Sequence, residues 1–373
     1  MANIYSKQLL TYVLRNEREP GDLDRALAED EGRAFLSVVV ERMGDLFDPE
    51  LCPVYEQLFR DAIARVSPEL LPRLRVPRTQ SPPPATNRVY VLSRITLGAD
   101  VAVTSVMLDA AKKRYPAAEI VFVGPRKSYE MFEADPRVCH LEAPYARGGT
   151  LADRLRASAN LWLDDGIVID PDSRLTQLGL ISVCPENRYF FFNSRSYKVG
   201  LRLPEAASDW AQEIFGVEGA RPYVAPLPVH EPAVDITVSL GVGENPAKRL
   251  DGEFERELLH ALAETGASIL VDKGVSVEER ERVENAILPG MRTHDGAFAP
   301  FASQIASSKL YVGYDSAGQH VASACGVPLV SIFQGYVNER FLHRWSPKGI
   351  VIRGDAPDVL AQVRAALTYT FRH

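Results

Sequence analysis

The sequence has few cysteines, no long hydrophobic run and no excess of positive charge. Its 373 residues include four cysteines, which lie far apart and form no C-x-x-C pair. We therefore expect neither a disulfide framework nor a structural zinc site, and the thiols favour a reducing compartment. No run of about 18 apolar residues occurs, so we expect no transmembrane helix.

The first residues, the net charge and the length indicate the location, the partners and the number of domains. The first residues, MANIYSKQLLTYVLRNEREP, lack a basic segment followed by an apolar core, so we expect no signal peptide and a cytoplasmic protein. A peripheral position at the inner membrane is an alternative. The net charge of −7 makes nucleic acid an unfavoured partner. The length exceeds what one hydrophobic core usually supports, which predicts two or three domains.

Apolar residues at helical spacing dominate the beginning of the sequence. Phe35, Val39 and Met43 recur at i, i+4 and i+8, which indicates one buried helix face. We predict a helical extension over residues 1–80, followed by a proline-rich linker at 81–86.

After the linker, short apolar runs alternate with segments of helical pattern. The runs predicted as strands are 88–93, 119–124, 138–143, 166–170, 235–241, 268–274, 309–315 and 327–333. This alternation is typical of an α/β fold with parallel sheets covered on both faces. The predicted limits are 87–203 for a first Rossmann-like domain, 204–233 for a connector, 234–355 for a second Rossmann-like domain and 356–373 for a last helix.

The clearest local pattern is a strand that leads into a helix with small residues at its start. It reads Asp315, Ser316, Ala317, Gly318 and, one turn into the helix, His320. Small side chains let a ligand approach the first backbone amides, and the start of a helix attracts a diphosphate. The alternative is that Asp315 or Ser316 caps the helix and His320 packs in the core.

A second strand leads into the glycine-containing loop SLGVGENPAKRL at 239–250. Gly241 and Gly243 precede the cations Lys248 and Arg249, which could neutralise a departing diphosphate. The pattern is neither a dinucleotide fingerprint nor a Walker loop. A solvated basic pair before a helix is the commoner case.

Two further polar segments follow predicted strands. Asp100, in SRITLGADVAVT, could act as a general base from a cleft, or it could simply cap the next helix. Asp170 and Arg174, in VIDPDSRLTQLG, could bind sugar hydroxyls, and an Asx turn is an equal alternative. No metalloprotease, serine-hydrolase or metal-ligand spacing occurs.

In their order and spacing, these segments resemble glycosyltransferase family 9, the ADP-heptose:lipopolysaccharide heptosyltransferase group. RITLGADV at 94–101 is similar to R-x-[ST]-x-x-G-D-V, with alanine in the last glycine position. DSAGQHVASACGVPLVSIFQG at 315–335 is similar to D-[ST]-G-x-x-H-L-A-A-A-L-G-x-P-V-V-x-L-F-G. The segments 169–174 and 241–249 fit the family more loosely. The resemblance covers residues 87–373, whereas the first 85 have no counterpart.

The resemblance implies a GT-B fold, in which two Rossmann-like domains face a cleft and the last helix crosses back to the first of them. It implies that Asp100 is the catalytic base and that no metal is bound. The second domain would hold the donor through Gly243, Lys248, Arg249, Asp315, Ser316, Ala317, Gly318 and His320. The first domain would hold the acceptor, with Arg94, Thr96, Asp170 and Arg174 as its binding residues.

The implied reaction is an inverting, metal-independent transfer of a heptose or another hexose-like sugar. The donor would be a nucleotide-diphosphate sugar, with an ADP-sugar favoured, and no cofactor would be needed. The acceptor would be a glycan, a lipid-linked molecule or a protein. Two alternatives are a sugar-nucleotide epimerase and a non-catalytic binding or assembly protein. The alanines at 99 and 317 keep the second of these open. The extension could mediate homo-oligomerisation, cover the acceptor cleft, recognise a protein acceptor or simply pack.

Overall fold

The computed structural model describes residues 3–17, 19–78, 80–243, 245–250 and 253–372. The chain divides into two compact units. The first unit comprises Met1–Ile95, Ala110–Arg126 and Arg137–Ala220, and the second comprises Thr96–Asp109, Lys127–Pro136 and Arg221–His373. The segment that carries Asp100 therefore groups with the second unit.

The helices and strands follow the predicted alternation. The α-helices are α1 Ile4–Arg15, α2 Pro20–Ala28, α3 Glu41–Asp45, α4 Leu51–Val66, α5 Leu97–Ala99, α6 Ser105–Arg114, α7 Arg126–Tyr129, α8 Leu151–Ala159, α9 Leu203–Phe215, α10 Phe254–Ala263, α11 Val277–Ala286, α12 Phe298–Ser307, α13 Ala317–Cys325, α14 Glu339–Trp345 and α15 Val359–Arg372. The strands are β1 Arg88–Leu92, β2 Glu119–Gly124, β3 Val138–Glu142, β4 Ile167–Asp170, β5 Tyr189–Phe191, β6 Ile236–Ser239, β7 Ile269–Asp272, β8 Arg292–His294, β9 Leu310–Tyr314, β10 Leu329–Phe333 and β11 Ile350–Arg353.

Shorter helical turns complete the described secondary structure. The 3-10 turns are Glu29–Gly32, Pro68–Arg73, Arg174–Thr176, Glu186–Arg188 and Pro246–Lys248. Two π-helical segments are Phe35–Val40 and Asp100–Thr104. The second of these lies between α5 and α6. Single π-turns inside helices often occur at functional positions.

Each unit contains one parallel sheet, as predicted. The first unit has the strand order β3-β2-β1-β4-β5, and the second has β11-β10-β9-β6-β7-β8. The second order, taken from β8, is that of a doubly wound dinucleotide-binding fold. In such sheets the ligand binds beyond the carboxyl ends of the strands, where the strand order reverses. The reversal lies between β1 and β4 in the first unit and between β6 and β9 in the second.

The strands that the sequence did not predict are β5, β8 and β11. All three lie at sheet edges, where one side of the strand has no neighbour. β5 and β8 have three residues each, which is too short for a hydrophobic pattern to stand out. β11 has four residues and is largely exposed, so its alternation is weak.

The helical extension is confirmed, and it shares one hydrophobic core with the first α/β sheet unit. Phe35 and Phe59 are fully buried in a cluster that also contains Leu151 and Leu155 of α8 and Ile181. This cluster removes apolar side chains from both parts from water, so each part stabilises the other. The extension is thus an integral part of the first unit.

Polar contacts fix the end of the extension to the same unit. Arg73 donates to the backbone oxygens of Ala159 (2.5 Å) and Leu161 (2.9 Å). The backbone N–H of Arg75 donates to the oxygen of Leu180 at 2.9 Å, and its guanidinium lies 2.7 Å from the carboxylate of Glu186. The chain therefore enters the predicted linker from a fixed position.

The last helix packs within the second unit over its described residues. Val359, Val363 and Leu367 are buried in the core of that unit. Asp358, just before this helix, accepts a hydrogen bond from the backbone N–H of Ala361 at 2.9 Å. The crossing of this helix to the first domain stays a prediction.

Two properties of the described residues concern membranes and metal ions. None of the helices there is long and apolar enough to span a bilayer. In the same ranges, no three His, Cys, Asp or Glu side chains are grouped so as to hold a metal ion.

Candidate functional site

The second unit presents the strand-to-helix turn predicted from the sequence. β9 ends at Tyr314 and α13 begins at Ala317, with Ser316 in extended conformation as the N-cap. The Ser316 side chain makes no capping hydrogen bond to the helix. The first amides of α13 are therefore not occupied by a side-chain cap, and the helix dipole adds positive potential there.

Lys248 and Asp315 meet across the point where the strand order reverses. The Nζ of Lys248 donates to Oδ2 of Asp315 at 2.6 Å and to its backbone oxygen at 3.2 Å. Their side chains are 20% and 9% exposed, so the pair is mostly shielded from water. The sequence placed both residues at the donor site, and the structure brings them together at the carboxyl edge of β6 and β9.

A buried chain of hydrogen bonds holds Asp315 in place. Nε2 of Gln319 donates to Oδ1 of Asp315 at 2.5 Å, and the hydroxyl of Ser331 donates to Oε1 of Gln319. Both supporting side chains are fully buried. Sequence reasoning missed Gln319 and Ser331. Spacing within the helix suggests Gln319, since it lies four residues after Asp315, but nothing in the sequence indicates Ser331.

Packing explains the glycine at position 318 in a way that the sequence did not reveal. A Cβ at this position would lie 2.4 Å from the hydroxyl oxygen of Tyr311, a fully buried side chain. The Tyr311 hydroxyl is also 3.2 Å from Oγ of Ser316. The sequence interpretation was that glycine lets a ligand approach. In the structure the missing side chain makes room for Tyr311.

His320 is buried next to a second glycine. Burial lowers its pKa to about 4, so the imidazole is neutral at pH 7. Its ring lies 5.6 Å from the ring of Trp345. A Cβ on Gly98 would come within 3.1 Å of His320 Cδ2 and 3.4 Å of the Cα of Ala317. The segment before Asp100 therefore approaches the start of α13 closely.

Asp100 lies in the π-helical segment and is fully buried. Its Oδ1 accepts a hydrogen bond from the hydroxyl of Thr104 at 2.8 Å. Its backbone N–H donates to the oxygen of Thr96 at 2.8 Å. The sequence suggested a carboxylate that faces a cleft, whereas this structure shields the group completely. The difference arises because segment 96–104 packs on α13, a contact between distant parts of the chain.

Gly243 and Arg249 are engaged by carboxylates in this structure. The backbone N–H groups of Val242 and Gly243 donate to Oε1 of Glu279 at 3.0 and 3.2 Å. Arg249 lies 3.4 Å from Glu279 and 3.8 Å from Glu255. The two neighbouring cations thus diverge: Lys248 contacts Asp315, while the charge of Arg249 is balanced by glutamates. A diphosphate would have to compete with Glu279 for Gly243 and Arg249.

Asp170, at the end of β4 in the first unit, is committed to local structure. Its carboxylate accepts hydrogen bonds from the N–H of Ser173 (2.6 Å), the hydroxyl of Thr176 (2.5 Å) and the hydroxyl of Tyr189. Burial raises its pKa above the usual range. These contacts are those expected of the turn-forming alternative.

Arg94 belongs to a polar cluster beyond the carboxyl ends of β1 and β4. It donates to the oxygen of Pro171 at 2.5 Å and to the hydroxyl of Ser194 at 2.8 Å. The Ser194 hydroxyl donates to Oδ2 of Asp172 at 2.7 Å, and Nε of Arg195 lies 3.3 Å from the same oxygen. Sequence reasoning missed Ser194 and Arg195, because they follow the short strand β5.

The backbone is strained where the strand order reverses in the first unit. Ile95, after β1, has a φ of 73°, and Asp172, after β4, has a φ of 71°. A positive φ is unfavourable for a side chain, above all for the β-branched isoleucine. Such strain costs roughly 1–3 kcal/mol per residue and concentrates at functional sites. The two positive φ angles therefore support a binding site at the carboxyl edge of the first sheet.

Two parallel-sheet Rossmann-like units define the class of the protein as a GT-B fold. Within it, residues 196–366 match the model of glycosyltransferase family 9 (heptosyltransferase). This match, which spans less than half of the chain, and the solved structures of similar fold support a glycosyltransferase, as the resemblance implied. None of the curated proteins matches the sequence.

Solved structures show the same fold. The family 9 glycosyltransferase from Veillonella parvula superposes with a TM-score of 0.54 at 17% identity, covering 76% of this chain and 92% of its own. The E. coli heptosyltransferase WaaC with ADP superposes with a TM-score of 0.55 at 16% identity, covering 76% of this chain and 99% of its own. The E. coli ADP-heptose lipopolysaccharide heptosyltransferase II superposes with a TM-score of 0.53 at 18% identity, covering 76% of this chain and 98% of its own.

Proposed function

We propose that this protein is an inverting, metal-independent glycosyltransferase that transfers a heptose or a similar sugar from a nucleotide-diphosphate donor to an acceptor hydroxyl. The observation that carries the proposal is the Lys248–Asp315 pair beside the start of α13. It combines a cation, an uncapped helix start and the reversal of strand order in one place. These three features favour an anionic ligand.

The donor diphosphate is held by Lys248 and by the first amides of α13. As the bond to the sugar breaks, negative charge grows on the departing diphosphate, and these groups stabilise it. Asp315 orients Lys248, and Gln319 orients Asp315. An ADP-sugar is the favoured donor, because the structures of similar fold include WaaC with ADP.

The acceptor hydroxyl loses its proton to Asp100 as its oxygen attacks the anomeric carbon, and the nucleoside diphosphate leaves from the opposite face. The close approach of Gly98 to His320 and Ala317 supports a base near the donor turn. Because Asp100 is fully buried in this structure, acceptor binding has to uncover the carboxylate. The acceptor is a glycan, a lipid-linked molecule or a protein, held by the first unit.

Replacement of Lys248 by alanine tests the donor site. We expect Lys248→Ala to weaken binding of ADP by about 10- to 100-fold, because a charge-assisted contact to phosphate is worth roughly 1.5–3 kcal/mol. Isothermal titration calorimetry measures the change. Lys309→Ala is the matched control, since its side chain is 73% exposed and pairs with Asp235 in the same unit. Unchanged affinity in Lys248→Ala would count against this donor site.

The burial of Asp100 favours one second candidate, a family member that binds a sugar nucleotide without transferring the sugar. Such a protein binds ADP or an ADP-sugar through the same Lys248 turn. It differs in producing no glycosylated product with any acceptor, whereas the proposed enzyme does.

A further inference from the structure

The helical extension reaches the predicted acceptor residues of the first unit. Oε1 of Glu41, at the start of α3, lies 3.7 Å from Nη2 of Arg174. The Tyr55 ring of α4 lies under the guanidinium of Arg195 at 4.7 Å, and its hydroxyl donates to the oxygen of Gln177 at 3.0 Å. Two helices of the extension thus contact the segments that follow β4 and β5.

The guanidinium groups at this edge lie close to balancing carboxylates. Arg195 pairs with Asp172 at 3.3 Å, and Arg94 lies 4.0 Å from the same carboxylate. Arg174 pairs with Glu41, and the two side chains are 25% and 30% exposed. The Arg174–Glu41 pair is therefore the part of this set that an acceptor can reach most easily.

We propose that Glu41 is a specificity-determining residue that restricts the acceptor to an uncharged, hydroxyl-bearing group beside Arg174. The inference rests on the proposed function, because it assumes that the acceptor binds at this edge of the first unit. A hydroxyl can accept a hydrogen bond from Arg174 and donate one to Glu41 without separating the pair. A carboxylate or phosphate would meet the like charge of Glu41, which disfavours it.

The extension supplies negative charge beside Arg174, from Glu41 at 3.7 Å and, more weakly, from Asp45 of the same helix. Without Glu41, Arg174 would present a guanidinium suited to bidentate binding of a carboxylate or phosphate. With Glu41 in place, its negative charge weakens the binding of such an anion by Arg174. The extension therefore changes the acceptor preference of the site in addition to packing against it.

The selectivity experiment uses the full chain and two sets of acceptors. Neutral glycosides are compared with sugar acids and sugar phosphates, with an ADP-sugar as donor. We expect the wild type to favour the neutral set. We expect Glu41→Gln to raise kcat/KM for the anionic set about three- to fivefold, with no change in the KM of the donor. Glu69→Gln is the control, because it removes an exposed carboxylate from the same extension.

The outcomes separate the inference from the proposed function. A wild type that prefers anionic acceptors, or a Glu41→Gln variant whose preference changes less than twofold, overturns the inference and leaves the transferase in place. Failure of the wild type to transfer to any acceptor contradicts the proposed function instead.

Anion binding then tests the role of Glu41 without any turnover. Sulfate is titrated into Lys248→Ala protein, so that the donor site does not dominate the signal. Adding Glu41→Gln should lower the Kd for sulfate about three- to fivefold, and Arg174→Gln should abolish that gain. Equal sulfate affinity with and without Glu41 overturns the inference.

Discussion

Asp100→Asn is expected to lower the rate of sugar transfer by about 10²- to 10⁴-fold, the usual contribution of a general base. The amide cannot accept the proton of the acceptor hydroxyl. It keeps an oxygen that can accept the hydrogen bond from Thr104, so the fold around the π-helical segment should be retained. Initial rates with a saturating donor and acceptor measure the effect, and calorimetry with ADP should show unchanged affinity.

Asp164→Asn is the control for this experiment, because Asp164 is exposed and belongs to the other compact unit. Its rate should match the wild type. If Asp100→Asn retains full activity while the control behaves as expected, Asp100 is not the base. A variant that loses ADP binding together with activity would instead show that the buried carboxylate holds the structure of the donor turn.

Phe59→Ala is expected to lower the free energy of unfolding by about 3–5 kcal/mol, because it removes a fully buried ring and leaves a cavity. Phe59 lies between Phe35 and Tyr55, at 6.0 and 5.5 Å between ring centroids. The surrounding core is shared by the extension and the sheet unit. Urea unfolding followed by circular dichroism should therefore show the extension and the sheet of the first unit losing stability together.

Leu14→Ala provides the comparison, since Leu14 is 46% exposed on α1 of the same extension. It should change the free energy of unfolding by less than about 0.5 kcal/mol. An extension that melts separately while the sheet keeps its stability would contradict the shared core, and with it the role given to Glu41.

The parts of the site that adjacent residues build could be predicted from the sequence. The turn from Asp315 to His320 follows a long buried strand and opens a helix, and both signals are local. Lys248 could be placed at the same donor site, because both loops come after strands of one parallel sheet, whereas its pairing with Asp315 was not predicted. The residues that support the turn could not be found in the same way. Tyr311 against Gly318 depends on side-chain packing, and Ser331 belongs to the next strand.

Contacts between distant segments account for most of what the sequence did not show. Glu279 takes up the amide of Gly243 and pairs with Arg249, although nothing in the local pattern of either loop indicates it. The burial of Asp100 depends on how segment 96–104 packs on α13. The pairing of Glu41 with Arg174 joins the extension to the predicted acceptor residues, and the family resemblance does not cover the extension.

The measurement that tests the central claim most directly is the release of ADP from ADP-heptose, followed with and without acceptors in buffer containing EDTA. We expect ADP and a glycosylated acceptor of inverted anomeric configuration to appear in equal amounts, and both to form about 10²- to 10⁴-fold more slowly in Asp100→Asn. An epimerised sugar nucleotide formed without acceptor, or binding of the donor without any product, would contradict this claim.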